Sequence, residues 1–351
     1  MMAVAVLMSA ASCQGSDESE QVIDVPEAGT AIAFMAQQNE GEEAQTRSET
    51  PLKDYATAFT VWGYKNMSYD DGTSSYGDLQ TVFPGYAVNW IDNSANTTTS
   101  NTHGWEYVNQ QATGDEQTIK YWDWSAKAYR FFAVTGDSTP EGSDPLVFTF
   151  AADASSEEHI AAAPYFSRLW FSTGNVGEYP DKQFGKPVQL EFAKPFARVR
   201  FLFNYSYAAE GVKVTSPSFK PADDEKKIAL VGTVTVSYPL TGTATKESYG
   251  VTPKAEGETL NAFTEEYIPG GTEKWYTVLP ALSQGNYTMN VNVNNNERTA
   301  VVPAAYMSWL PGYSYTYVFK ITEDGGVEID LVQSAVTPWT ELENDHSVYN
   351  W

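Results

Sequence analysis

What most constrains this chain is an alternation at strand period, repeated with aromatic side chains. Val199, Phe201, Phe203, Tyr205 and Tyr207 alternate with Arg200, Leu202, Asn204 and Ser206. Successive side chains of a β-strand point to opposite faces, so this spacing gathers the large side chains on one face. Tyr287, Met289, Val291 and Val293 alternate in the same way with Thr288, Asn290 and Asn292, and Tyr313, Tyr315, Tyr317 and Phe319 with Ser314, Thr316, Val318 and Lys320. Asn294-Asn295-Asn296-Glu297 reads as a turn before a returning strand at 299–302. Glu323-Asp324-Gly325-Gly326 reads as a hairpin turn into 327–332, because Asp-Gly and Gly-Gly tolerate positive φ. In the first half, 30–36, 58–64, 119–124, 129–134 and 146–150 have strand composition, separated by Ser/Thr/Asn/Gly loops such as 92–104. No window holds a clean 3.6-residue period, so the chain reads as all-β, built of sandwiches.

A length of 351 residues exceeds what one core serves, so two domains of roughly 150 residues each are expected. Seventeen Phe, 22 Tyr and 10 Trp supply apolar mass for two cores. The boundary is expected near Phe184-Gly185-Lys186-Pro187, ahead of a fresh strand at 188–192. That gives an N-terminal sandwich over 30–187 and a C-terminal one with a tail over 188–351. A formal net charge of -24 repels phosphate backbones and anionic lipid surfaces, so no nucleic-acid partner is expected. One cysteine excludes an internal disulfide framework and a thiolate metal cluster.

Residues 1–11 read MMAVAVLMSAA, an apolar run too short to span a bilayer and suited to the core of an export signal. Ala10-Ala11-Ser12-Cys13 follows, and Cys13 is the only cysteine. This resembles a bacterial lipobox, in which cleavage before the Cys leaves its thiol to carry a diacylglycerol. No Lys or Arg precedes Cys13, whereas an export signal ordinarily opens with positive charge. Residues 1–12 are therefore read as a lipoprotein signal peptide and 13–29 as a flexible acidic tether, with the membrane reached only through the lipid.

Signals for catalysis are poor. His103, His159 and His346 lie far apart, no Gly-rich phosphate loop follows a strand, and no Gly-x-Ser-x-Gly elbow occurs. Acidic pairs such as Asp70-Asp71, with Asp78 nearby, lack the ligand spacing of a calcium loop and read as solvated turns. No enzyme activity, cofactor or metal is expected. The wealth of Trp and Tyr leaves open a second reading, a surface-anchored lipoprotein that binds glycan through aromatic loops and never polymerises. Arg47 is more informative. It is the first basic residue of the chain, eight acidic residues precede it, and it stands in the polar stretch Gly41-Glu42-Glu43-Ala44-Gln45-Thr46-Arg47-Ser48. Exposed polar loops are where proteases reach backbone, so an arginine-specific protease there would release residues 13–47 together with the strand 30–36.

Several segments together resemble the fimbrillin family, the type V pilus subunits of Bacteroidales-type bacteria. They are the lipobox at Cys13; Ile32-Ala33-Phe34 followed by Thr46-Arg47-Ser48; Ile119-Lys120-Tyr121-Trp122 through Tyr129-Arg130-Phe131-Phe132-Ala133-Val134; the run 192–203 (FAKPFARVRFLF); Trp309-Leu310-Pro311-Gly312-Tyr313-Ser314-Tyr315; and Val336-Thr337-Pro338-Trp339. The resemblance spans nearly the whole chain. It implies two tandem transthyretin-like Greek-key β-sandwich domains and no catalysis. It also implies a surface lipoprotein of the outer membrane that is cut after an arginine such as Arg47 and joins a fimbrium by strand exchange. Ile32 and Phe34 would plug the groove before cleavage. A donor segment around Val327, Ile329, Leu331, Val336 and Trp339, or the tail to Trp351, would replace them. The implied partners are other fimbrial subunits, the processing protease, and a ligand on a host or bacterial surface.

Overall fold

The computed structural model describes residues 29–38, 51–92, 94, 97–111, 116–174, 181–205, 214–223, 227–254, 259–260, 263–264, 275–282, 285–322 and 325–335. The first nine strands are β1 (Phe34–Gln38), β2 (Ala58–Asp70), β3 (Ser75–Trp90), β4 (Trp105–Glu106), β5 (Ala128–Val134), β6 (Leu146–Asp153), β7 (Phe166–Ser167), β8 (Trp170–Thr173) and β9 (Val188–Ala193). A short helix, α1 (Glu157–Ala162), falls between β6 and β7. Then come β10 (Ala197–Tyr205), β11 (Val214–Pro221), β12 (Ile228–Ala229), β13 (Val231–Tyr238), β14 (Ser248–Pro253), β15 (Thr259–Leu260), β16 (Phe263–Thr264), β17 (Tyr276–Val278), β18 (Tyr287–Val293), β19 (Asn296–Val302), β20 (Ser314–Ile321) and β21 (Val327–Ala335). The protein is thus almost all β, in sheets that are sandwich-like or close to barrel-shaped.

An eight-stranded sheet runs β1-β9-β7-β5-β2-β3-β4, with β8 also on β5. Its central strand β5, AYRFFAV, is buried at every position. Alternation explains this, because the strand has a core on each side. Tyr129, Phe131 and Ala133 enter one core with Phe59, Val61 and Phe83, while Phe132 and Val134 enter another with Trp62, Tyr64 and Phe148. The second core is closed by a three-stranded sheet, β14-β13-β6. Two four-stranded sheets, β17-β10-β20-β21 and β16-β11-β18-β19, face each other over a third core. There the alternation of the sequence is realised: Tyr287, Met289, Val291 and Val293 of β18 are buried and the residues between them are not. Tyr315, Tyr317 and Phe319 of β20 and Val199 and Phe203 of β10 meet them.

Three strand pairings cross residue 187: β9 with β1, β9 with β7, and β13 with β6. Strand β9, expected to open the second half, lies in the large sheet, parallel to β1 from Phe34↔Val188 to Gln38↔Phe192. Strand β13 pairs antiparallel with β6 from Val231↔Asp153 to Tyr238↔Leu146, and β14 follows it as a hairpin. The loop joining β13 to β14 is anchored by polar groups of the first half. Asn66 Nδ2 donates to the Leu240 carbonyl at 3.0 Å, and Asp144 Oδ1 accepts from the Leu240 N–H at 2.8 Å. Tyr76 and Gly242 exchange backbone bonds of 3.0 and 2.7 Å. Arg130, fully buried, donates to Asn66 Oδ1 and to the Ala244 carbonyl, and burial pushes its pKa down to about 10. Arg168 reaches Glu247 at 3.3 Å and the Pro311 carbonyl at 3.0 Å. Burial works against the Arg168 cation, but Tyr249, Glu247 and Tyr313 outweigh it and hold its pKa raised.

One expected strand differs. Residues 119–124 make a single bridge, Ala31↔Tyr121, and no continuous ladder. The side chains of Gln117 and Tyr107 take up backbone bonds that a neighbouring strand would otherwise supply.

Candidate functional site: the slot of the leading ribbon

Strand β1 is the end strand of the large sheet, bonded along one side to β9. Its side chains nevertheless lie at the centre of a core. Ile32 is 0% and Phe34 1% exposed. The Phe34 ring stands edge-on to Phe83 at 5.3 Å, Tyr107 at 5.8 Å, Phe131 at 6.0 Å and Phe59 at 6.4 Å. Edge-to-face packing at these distances adds to the burial gain, itself about 1.5–3 kcal/mol for a fully buried side chain of this size. Ala33 is buried as well, so the segment reads large, small, large over three consecutive buried positions. Leu52, where the described chain resumes in a short 3₁₀ turn (Leu52–Asp54), is buried in the same core.

The ribbon is held from both sides. The Val188 N–H donates to the Ala33 carbonyl at 2.8 Å on the β9 side. On the other side the Ile32 N–H donates to the Lys120 carbonyl at 2.8 Å and the Trp122 N–H to the Thr30 carbonyl at 3.1 Å. The Tyr107 hydroxyl donates to the Ile32 carbonyl at 3.0 Å and accepts from the Lys120 N–H at 3.1 Å. Burial pushes this phenol up to about 12, so it keeps its proton at neutral pH. Gln117, 1% exposed, fixes the segment that carries these groups. Its Oε1 accepts from the Ala87 N–H at 2.8 Å, and its Nε2 donates to the Ala87 and Tyr107 carbonyls. Neither Tyr107 nor Gln117 was marked by strand alternation, since the described residues 107–111 and 116–120 are irregular backbone; two polar side chains among aromatics were the sole signal.

Cys13, Arg47, Val336 and Trp339 lie outside the described residues, as do 39–50 and the tail to Trp351. Val327 and Ile329 lie on β21, an edge strand antiparallel to β20, with Val327 buried in the third core and Ile329 packed against it; Leu331 pairs with Val318 in that ladder. The described candidate donor positions, Val327, Ile329 and Leu331, thus belong to the sheet over the third core, while Ile32 and Phe34 lie in the first. Asp70 Oδ1 accepts from the Gly72 N–H in the β2–β3 turn. Among the described residues no three His, Cys, Asp or Glu side chains converge as a metal site, and no helix is long and apolar enough to cross a membrane. Tyr121, Val301 and Tyr306 are the large apolar side chains that stand exposed among the described residues.

No protein-family profile matches the chain, and no curated protein matches its sequence. Solved structures do. A protein from Bacteroides ovatus, named provisionally as a cell adhesion protein, is similar at 15% identity and a TM-score of 0.39, over 88% of this chain and 98% of that one. Another with the same provisional name, from Bacteroides uniformis, is similar at 14% identity and a TM-score of 0.39, over 89% and 100%. A fimbrial protein from Bacteroides vulgatus is similar at 12% identity and a TM-score of 0.39, over 88% and 99%.

Proposed function

We propose that this chain is a subunit of an adhesive surface fibre of the fimbrillin kind, exported as a lipoprotein on Cys13, cut after Arg47 and joined to its neighbours by strand replacement. The observation that carries the reading is the ribbon 30–38, an end strand bonded to β9 on one side, yet filling a core with Ile32 and Phe34. Losing such a strand would leave the backbone groups of β9 and of 120–122 unpaired around an aromatic trough, which is strongly unfavourable in water. An extended segment of another subunit restores both the backbone bonds and the packing. The contact is head-to-tail and does not close, so it propagates as a fibre. In this reading the donor comes from the C-terminal region, through Val327, Ile329, Leu331, Val336 and Trp339 or the tail to Trp351. The sandwiches are transthyretin-like Greek keys, and the high acidity keeps fibres from clumping. The precursor sits on the outer membrane and the processed subunit in the fimbrium, with adhesion to a surface ligand as its work.

Treatment of the purified precursor with an arginine-specific protease tests this. One cut at Arg47 followed by oligomers is expected, and Arg47→Ala abolishes both. A cut chain that stays monomeric and stable without residues up to Arg47 overturns the proposal, and glycan binding by that monomer would favour the non-polymerising lipoprotein instead.

A further inference from the structure

We propose that the slot reads its strand on two opposite edges, with the Tyr107 hydroxyl as the positioning group, and so accepts only an extended segment bearing a large–small–aromatic apolar triplet. This rests on the strand-replacement reading and adds what the incoming strand must look like. In an extended chain the N–H and C=O of one residue point to one side and those of the next residue to the other. The ribbon obeys this: the Thr30 carbonyl and both backbone groups of Ile32 face 120–122 and Tyr107, while the Ala33 carbonyl faces β9. The Ala31↔Tyr121 bridge sets Ile32 opposite Lys120, where an antiparallel pair would exchange two direct bonds. One is made, Ile32 N–H to Lys120 carbonyl. The other is replaced by a relay, Lys120 N–H to Tyr107 hydroxyl to Ile32 carbonyl. A side-chain hydroxyl thus stands in the ladder, and the seam has no continuous backbone pairing to break when the strand leaves. Extended backbone turns Ala33 to the face opposite Ile32 and Phe34, and that face is covered too, so each of the three positions is nearly inaccessible.

Two measurements decide this. In the uncut full-length chain, amide hydrogen exchange is compared between wild type and Tyr107→Phe, which keeps the ring and removes the relay. About tenfold faster exchange is expected at Ile32 and Trp122, with the β2–β3 hairpin unchanged, as loss of one buried hydroxyl bridge predicts. Unchanged exchange at both amides overturns the two-edge grip. In the chain cut at Arg47, synthetic peptides compete for the slot. The peptide of residues 29–38 is expected to displace the ribbon at least about tenfold better than its Ala33→Leu form or the peptide 33–38. Equal competition by all three overturns the triplet requirement. A cut chain that never exchanges its ribbon for any peptide refutes strand replacement, and with it the triplet requirement on an incoming strand; the amide comparison in the uncut chain still decides the grip.

Discussion

Phe34 shows how much one residue of the ribbon contributes. Four rings surround it, from β2, β3, β5 and the segment after β4. Phe34→Ala in the uncut chain removes those contacts and leaves a cavity that rigid neighbours cannot collapse. A loss of about 3–5 kcal/mol in urea unfolding is expected. A loss under about 1 kcal/mol would mean that the slot relaxes around smaller side chains. The sequence marked 30–36 as an apolar strand candidate, and the family resemblance implied that Ile32 and Phe34, two apart on it, fill a groove. The burial of Ala33 between them was not legible, since alternation puts the intervening residue on the opposite face and nothing in the sequence shows that this face is covered as well.

At the scale of elements, the β13–β14 hairpin is the least expected feature. Its strands were not singled out in the sequence, and the order of elements gave no reason to lay them on β6. Their seat depends on polar anchors more than on area alone. Asp144 holds both the Leu240 N–H, at 2.8 Å, and the Thr241 hydroxyl. Asp144→Ala strands a part-buried N–H at the mouth of the loop, and a loss of about 1–3 kcal/mol in the free energy of urea unfolding is expected. Val301→Thr, at an exposed position on β19, serves as the control and should stay within about 0.5 kcal/mol. If the two variants behave alike, the anchors do not seat the hairpin. The turn into β21 was legible by contrast: the Thr322 N–H bonds the Gly326 carbonyl at 3.0 Å, and Gly325 has a φ of 78°.

For the whole molecule the aromatic load sets the response to pH. Burial pushes Tyr107, Tyr165, Tyr287 and Tyr315 up to about 12 and Tyr129, Tyr249 and Tyr317 higher still, and it raises Tyr238 well above the ordinary phenol value. An unfolded phenol titrates near about 10. Above that pH the unfolded chain holds fewer protons than the folded one, so stability is full below about pH 10 and is lost as the pH climbs through about 12. Lys194 acts the other way: burial pushes its amine down to about 8, so its contribution rises between there and about 10.4, where a free lysine titrates. Urea unfolding at pH 7, 9 and 11 should show a fall at the last of these, the eight phenols outnumbering the one amine. A stability that stays flat through pH 11 would mean that these hydroxyls reach water.

Alternation is a property of the local backbone, so the sequence by itself determined that β18 and β20 are strands and which of their faces is apolar, and it marked 30–36 as an apolar strand candidate. Which strand lies beside which is settled by contacts between residues far apart in the chain, and short apolar runs fit many partners equally well. Only the tertiary structure decided that β9 lies parallel to β1, that a hairpin after residue 230 closes the core over β5, and that Tyr107 stands between Lys120 and Ile32. The reason is that a buried N–H or carbonyl must find a partner wherever the packed chain supplies one, and here a phenol supplied it.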